Sequence, residues 1–265
     1  MSRSLDFTVS YTWSRSVDDT SLAFADRPVS TQLQQFPTLI NLGASPAAGF
    51  QGGGRNVAQR PILADKGRSD FDIPRALIFS YVWEIPIGRG RKWGAGMARW
   101  KDAILGGYSL SGIVTLRDGE PFTLRSGTDY ADIGDQNTLR PALRTGNLDD
   151  LYANGAEGRT QYLVSKANAD RLLGVPANVT DPYAAVPRNS HRSPGVAVYD
   201  ASILKTIALS EHRKVALEGN FFNILNRAQF NEPVFVQTDT RFGRVTSTRP
   251  GTNPRQVQLG LKISF

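Results

Sequence analysis

Six stretches of the chain alternate apolar and polar residues with a period of two, which predicts strands with one greasy and one wet face. The last is the most regular: Val257, Leu259, Leu261, Ile263 and Phe265 are apolar, while Gln256, Gln258, Gly260, Lys262 and Ser264 are polar or small. The first sets Leu5, Phe7, Val9, Tyr11 and Trp13 against Asp6, Thr8, Ser10, Thr12 and Ser14. In the second, about 73–85, Leu77, Phe79, Tyr81, Trp83 and Ile85 oppose Ala76, Ser80 and Glu84. Ile78 and Val82 blur its wet face, and Arg75 interrupts its greasy one. The third, about 105–116, sets Tyr108, Leu110, Gly112, Val114 and Leu116 against Ser109, Ser111, Thr115 and Arg117, with Ile113 as the exception. Its pattern allows continuation past Gly119 to Phe122 and Leu124. The fourth, from about Val196, opposes Ala197, Tyr199, Ala201, Ile203 and Ile207 to Asp200, Ser202 and Thr206. The fifth opposes Val215, Leu217, Gly219 and Phe221 to Ala216, Glu218 and Asn220.

About ten residues is the length a tilted strand needs to cross a bilayer's hydrocarbon. The connections between the six are about 58, 18, 75, 5 and 29 residues long, so long and short alternate throughout. Membrane barrels alternate in this way because periplasmic turns are short and extracellular loops are long. The expected fold is therefore all-β: an antiparallel transmembrane β-barrel segment, about six strands of a larger barrel, with extracellular loops at about 15–72, 125–194 and 226–254. Gly, Pro, Ser and Asn crowd those segments, which read as loop rather than core, with a short helix around Tyr162 to Leu172. Arg75 and Lys205 then fall near opposite ends of their strands, where a lipid-facing cation costs least. Trp13, Tyr199 and Phe221 form an expected outer aromatic girdle, and Trp83, Tyr108 and Phe265 an inner one.

Composition narrows the chemistry. The chain has no cysteine, which excludes disulfides and thiolate metal sites, and only two histidines, His191 and His212. The formal charge of +7 is dispersed, with no basic run or nucleic-acid motif, so nucleic acid is not an expected partner. Gly88-Arg-Gly-Arg-Lys-Trp-Gly94 has glycine spacing near that of a phosphate loop, yet it lacks the Lys-Ser/Thr pair and a surrounding βαβ unit. It reads instead as a turn whose tryptophans and cations sit at a membrane surface. Asp129, Asp132 and Asp135 lack EF-hand spacing and read as a solvated acidic loop. Asn178-Val-Thr180 matches a glycosylation pattern too short to carry weight. No nucleophile elbow or zinc-protease motif is present, so neither enzyme activity nor a cofactor is expected. Asp200, Ser202, Thr206, Glu218, Asn220, Gln256, Gln258 and Lys262 are the candidate lumen-facing residues.

Gln258, Gly260, Ile263 and Phe265 together resemble the C-terminal signal by which outer-membrane barrels are recognised by the insertion machinery. Longer stretches resemble the C-terminal barrel of TonB-dependent outer-membrane receptors, in particular the Oar-like group with a carboxypeptidase-regulatory-like domain. They are Asp72-Ile-Pro-Arg-Ala76 through Trp83-Glu-Ile-Pro86, Gly106-Gly-Tyr-Ser-Leu-Ser-Gly-Ile113 and Asp118-Gly-Glu-Pro-Phe122, then Tyr199-Asp-Ala-Ser202 with Lys205, Glu218 through Asn226, and Pro254 through Phe265. The resemblance implies uptake of a bulky ligand past a plug, with energy delivered through TonB. Its implied partners are outer-membrane lipid, the insertion machinery, and the remainder of the receptor. Such receptors carry a signal peptide, a TonB-contacting segment, a plug and many more strands. None of these is found here, so the chain is expected to be the tail of a larger receptor. Assembly of several copies into a shared barrel, a non-energised structural or adhesive barrel, and a secreted carbohydrate-binding β-sandwich stay open as alternatives.

Overall fold

The computed structural model describes residues 4–18, 66–130, 139–155, 158, 160–177, 185–210 and 213–265. Most of the first long loop, Asp132, Asp135, the Asn178–Thr180 pattern, His212 and part of the tight turn after Ser210 lie outside them.

The six alternating stretches form one antiparallel sheet. Its strands are β1 (Leu5–Trp13), β2 (Arg75–Glu84), β3 (Tyr108–Arg117), β4 (Val196–Ala208), β5 (Lys214–Phe222) and β6 (Gln256–Ser264), paired in chain order. The register keeps every greasy face on one side. Phe7 lies opposite Tyr81, Tyr81 opposite Gly112, Gly112 opposite Ala201, Ala201 opposite Phe221, and Phe221 opposite Val257. A slip of one residue anywhere would turn a strand's apolar set to the wrong side.

That row also slopes. It begins at the third residue of β1, near the end of the short connections, and finishes at the second residue of β6, near the end of the long ones. Such stagger accompanies the strand tilt a sheet needs to curl into a barrel. Among the described residues the curl is incomplete: β1 and β6 are unjoined edges.

The apolar face is bare. Phe7, Tyr11, Leu217 and Ile263 are about half exposed or more, and Leu259 is 83 % exposed. In a β-sandwich this face would pack against a second sheet, so the soluble alternative fails on the position of these side chains.

The buried core lies elsewhere, and here the expectation of bare loops is corrected. Phe122, Leu124, Leu151, Leu163, Ala169, Leu173, Val186 and Phe242 pack together, each at most 3 % exposed. All come from 118–195 and 223–255, the connections at the Trp13 end of the sheet. Short ladders pin the segments together: Pro121–Phe122 pairs with His191–Arg192, and Ala142–Leu143 with Leu173–Gly174. Phe122 thus belongs to a separate short strand and does not extend β3; the chain breaks at Asp118, whose amide donates to Arg75 O. The expected helix is present as α2 (Lys166–Leu172), which turns Ala169 into the core while Lys166 pairs with Asp170 on its outer side. Helix α1 (Arg99–Leu105) was not expected; it occupies the stretch assigned to a turn and to the start of β3, which begins only at Tyr108.

The cap is tied to the sheet by asparagine and arginine. Asn223 sits at φ 48°, and its side chain binds Arg227 N and O and Asn253 O, folding the chain back between β5 and β6. Arg249 donates to Ser193 Oγ, Pro194 O and Phe230 O, and its guanidinium faces Glu120 at 3.3 Å.

Candidate functional site

The polar face of the sheet is concave. A trough of about 620 Å³ runs across it, lined by Asp6, Thr8, Ser80, Ser111, Asp200 and Ser202 with Val82, Ile113 and Phe222. The curl gathers polar residues of several strands there. Asp200 and Ser202 were nominated from the sequence; Asp6, Thr8, Ser80 and Ser111 were assigned to wet faces but not nominated. Ile78, Val82 and Ile113, which blur the polar pattern, sit together on this side: Val82 faces Ser111, Ile113 faces Ser80, and Ile78 faces Thr115.

The other nominated residues share the polar face by register but are spread along it. Ser202 lies opposite Asn220 and Asn220 opposite Gln258, a polar rung across three strands. Ser202 Oγ donates to Asn220 Oδ1 and Asn220 Nδ2 to Glu218 Oε1 at 2.9 Å. Asp200 Oδ1 accepts Asn223 N at 2.8 Å, which fixes the carboxylate beside the cap. Thr206 and Lys262 flank Ala216 farther toward the short connections, and Gln256 stands opposite Phe222 at the cap end. Of the four C-terminal signal residues, Gln258 and Gly260 lie on the polar side and Ile263 on the apolar side. Phe265, just past β6, is 96 % exposed.

At the cap end of the sheet, the β1–β2 and β3–β4 connections meet in a polar clamp. Arg192 donates to Asp72 O at 2.7 Å and pairs with the Asp72 carboxylate, whose other oxygen accepts Ser16 N at 2.7 Å. Arg188 pairs with Asp18 and lies 3.8 Å from Asp70. Asn189 donates to Arg68 O and Asp70 Oδ1, both at 2.7 Å. Sequence reading missed this cluster because its partners lie up to 170 residues apart.

His191 is fully buried within the cap. Its Nε2 donates to Leu148 O at 3.1 Å, so Nδ1 accepts from the Ser190 hydroxyl at 2.9 Å. Burial pushes its pKa down, favouring the neutral ring. Both nitrogens are thus engaged within the cap, and Nε2 ties two of its segments together. Tyr162, half-buried against the cap core, is pushed up to about 12 by desolvation. Asp239, on an exposed turn, is held down at about 2 by its hydrogen bonds to Arg241. Among the described residues no group of three or more acidic or histidine side chains is placed to hold a metal ion.

The arrangement separates three environments: an apolar sheet face, a concave polar face, and a self-packed cap over one end. A family model described as an outer membrane beta barrel domain matches residues 1–258. Comparison with curated proteins and with solved structures gives no match. The bare apolar face is accordingly the lipid-facing surface of strands that span the bacterial outer membrane, and the chain belongs to the outer membrane beta barrel domain family.

Proposed function

We propose that the chain is the C-terminal barrel portion of a TonB-dependent outer-membrane receptor of the Oar-like kind, serving the uptake of a bulky ligand. The observation that carries this reading is the pair of unjoined edges on a curled, amphipathic six-stranded sheet. Amides left unpaired in hydrocarbon cost roughly several kcal/mol each, so β1 and β6 call for further strands. Six strands are also too few to enclose a lumen. The sheet is therefore one sector of a larger wall, and the trough is part of its inner surface. Asp200, Ser202, Thr206, Glu218, Asn220, Gln256, Gln258 and Lys262 then face water or a plug, and the packed cap stands on the extracellular side. Gln258, Gly260, Ile263 and Phe265 serve as the insertion signal. The barrel does no covalent chemistry; TonB acts through the plug of the complete receptor.

The test is the reading frame upstream of Met1. In-frame coding sequence for a plug, a TonB-contacting segment and additional strands is the expected result. Additional strands without a plug would replace this reading with a non-energised structural or adhesive barrel.

A further inference from the structure

The connection between β2 and β3, 85–107, is a built element. Trp93 N donates to Pro86 O and Gly88 N to Trp93 O, both at 2.9 Å, closing a glycine-rich loop. Arg89 N donates to Asp102 Oδ1 at 2.8 Å, so one carboxylate pins that loop onto α1. Gly88 sits at φ +130°, and a Cβ there would lie 2.6 Å from the same oxygen, so the loop closes this tightly only on glycine. At the far end of α1, Gly106 O accepts from Lys205 Nζ, which also stands 4.4 Å over the Tyr108 ring. Tyr108 and Lys205 face each other in the apolar row, so this contact fastens α1 to the lipid side of the sheet's rim.

What the element presents is cationic and aromatic. Arg89, Arg91, Lys92, Arg99 and Lys101 are all exposed, as are Trp93, Trp100, Ile104 and Leu105. Lys92 lies over Trp93 and Lys101 over Trp100, at 5.3 and 5.4 Å. Asp102 is the only carboxylate within residues 86–105, and the loop amide already engages it; Arg91 pairs with Glu84 at 2.9 Å, which leaves the cluster strongly cationic. An indole beside an ammonium at the rim of a lipid-facing sheet suits the boundary layer, with the ring among glycerol groups and the cation at phosphate. A zwitterionic surface offers this cluster no net counter-charge; an anionic one does.

We propose that residues 86–105 form a docking surface for the headgroups of anionic glycerophospholipids. This requires only that the rim meets a leaflet, so it stands or falls apart from ligand uptake.

The full chain is reconstituted in vesicles mixing phosphatidylcholine with phosphatidylglycerol, one or the other brominated. A Trp13→Phe, Trp83→Phe background leaves Trp93 and Trp100 as reporters. The expected result is much stronger quenching by brominated phosphatidylglycerol. Replacing Arg89, Arg91, Lys92, Arg99 and Lys101 by Gln should reduce that preference by about tenfold or more. Replacing Arg227, Arg241 and Arg244 by Gln, at the cap end, should leave it intact. Circular dichroism checks that each variant is folded. Lipid extracted from the purified chains gives a second readout, expected to be enriched in anionic classes only where the five cations remain. Equal quenching by the two lipids, or a preference that survives neutralisation in folded protein, overturns the proposal.

Discussion

Arg192 holds Asp72 by both its backbone carbonyl and its carboxylate across 120 residues of sequence. Asp72 is only 2 % exposed, so the pair fixes the chain just before β2 to the chain just before β4. Removing the cation strands a buried charge. Arg192→Ala should destabilise the cap by about 3–5 kcal/mol. Hydrogen exchange of 140–175 and 230–245 checks this, and the strands of the sheet should keep their protection.

Acid should loosen the same cap through His191. Burial lowers its pKa in the fold below the ordinary value of about 6.5. The unfolded chain therefore binds the proton more readily, so the ring's contribution is complete above about 6.5 and declines as pH falls toward the lower folded value. Exchange protection of the cap should drop over that window, and His191→Gln should flatten the drop. An unchanged pH profile in the variant would assign the acid sensitivity to other groups.

At the alkaline side the sign reverses. Tyr162, raised to about 12 by burial, keeps its proton in the folded cap while the unfolded phenol, near 10, loses its own, so its contribution to stability falls above about 10. That contribution is complete below about 10 and is lost as pH rises through about 12. Tyr162→Phe removes it, and ultraviolet phenolate titration should then lose one late-titrating group.

Ile203 and Leu204 are neighbours on β4 with equal exposure, 37 %, on opposite faces. Ile203→Arg puts a cation toward lipid near mid-strand and should cost about 2–4 kcal/mol. Leu204→Arg points toward Glu218 on the polar side and should change stability by about 0.5 kcal/mol or less. Urea titration of vesicle-inserted protein compares them, and equal losses would contradict the assignment of faces.

Lys205→Met keeps the stem of the side chain but removes its bond to Gly106 O and its position over Tyr108. A loss of about 1–2 kcal/mol is expected, along with faster exchange in 99–107.

The strands were legible because alternation is a local signal, repeated over nine or more residues in each. Val82 and Ile113 disturbed it and still lie on the polar face, since register is fixed by the whole strand. Of the residues assigned to the girdles, Tyr199 sits four residues into β4, opposite Val114. The cap was not legible. Phe122, Leu151, Leu163 and Phe242 have no common period and are scattered among turn residues; only α2 repeats often enough to be read. Likewise α1 hides among glycines, held by Asp102 and Lys205, contacts that no spacing announces.

The sloping row across the sheet constrains whatever completes it. Seen from the side, these staves climb like steps of a spiral stair, so the two outer staves are offset along the axis and cannot simply be brought flush. Any strands that close this sheet must supply both the girth and the remaining rise, and their number is thereby linked to the pitch already set by residues as far apart as Phe7 and Val257.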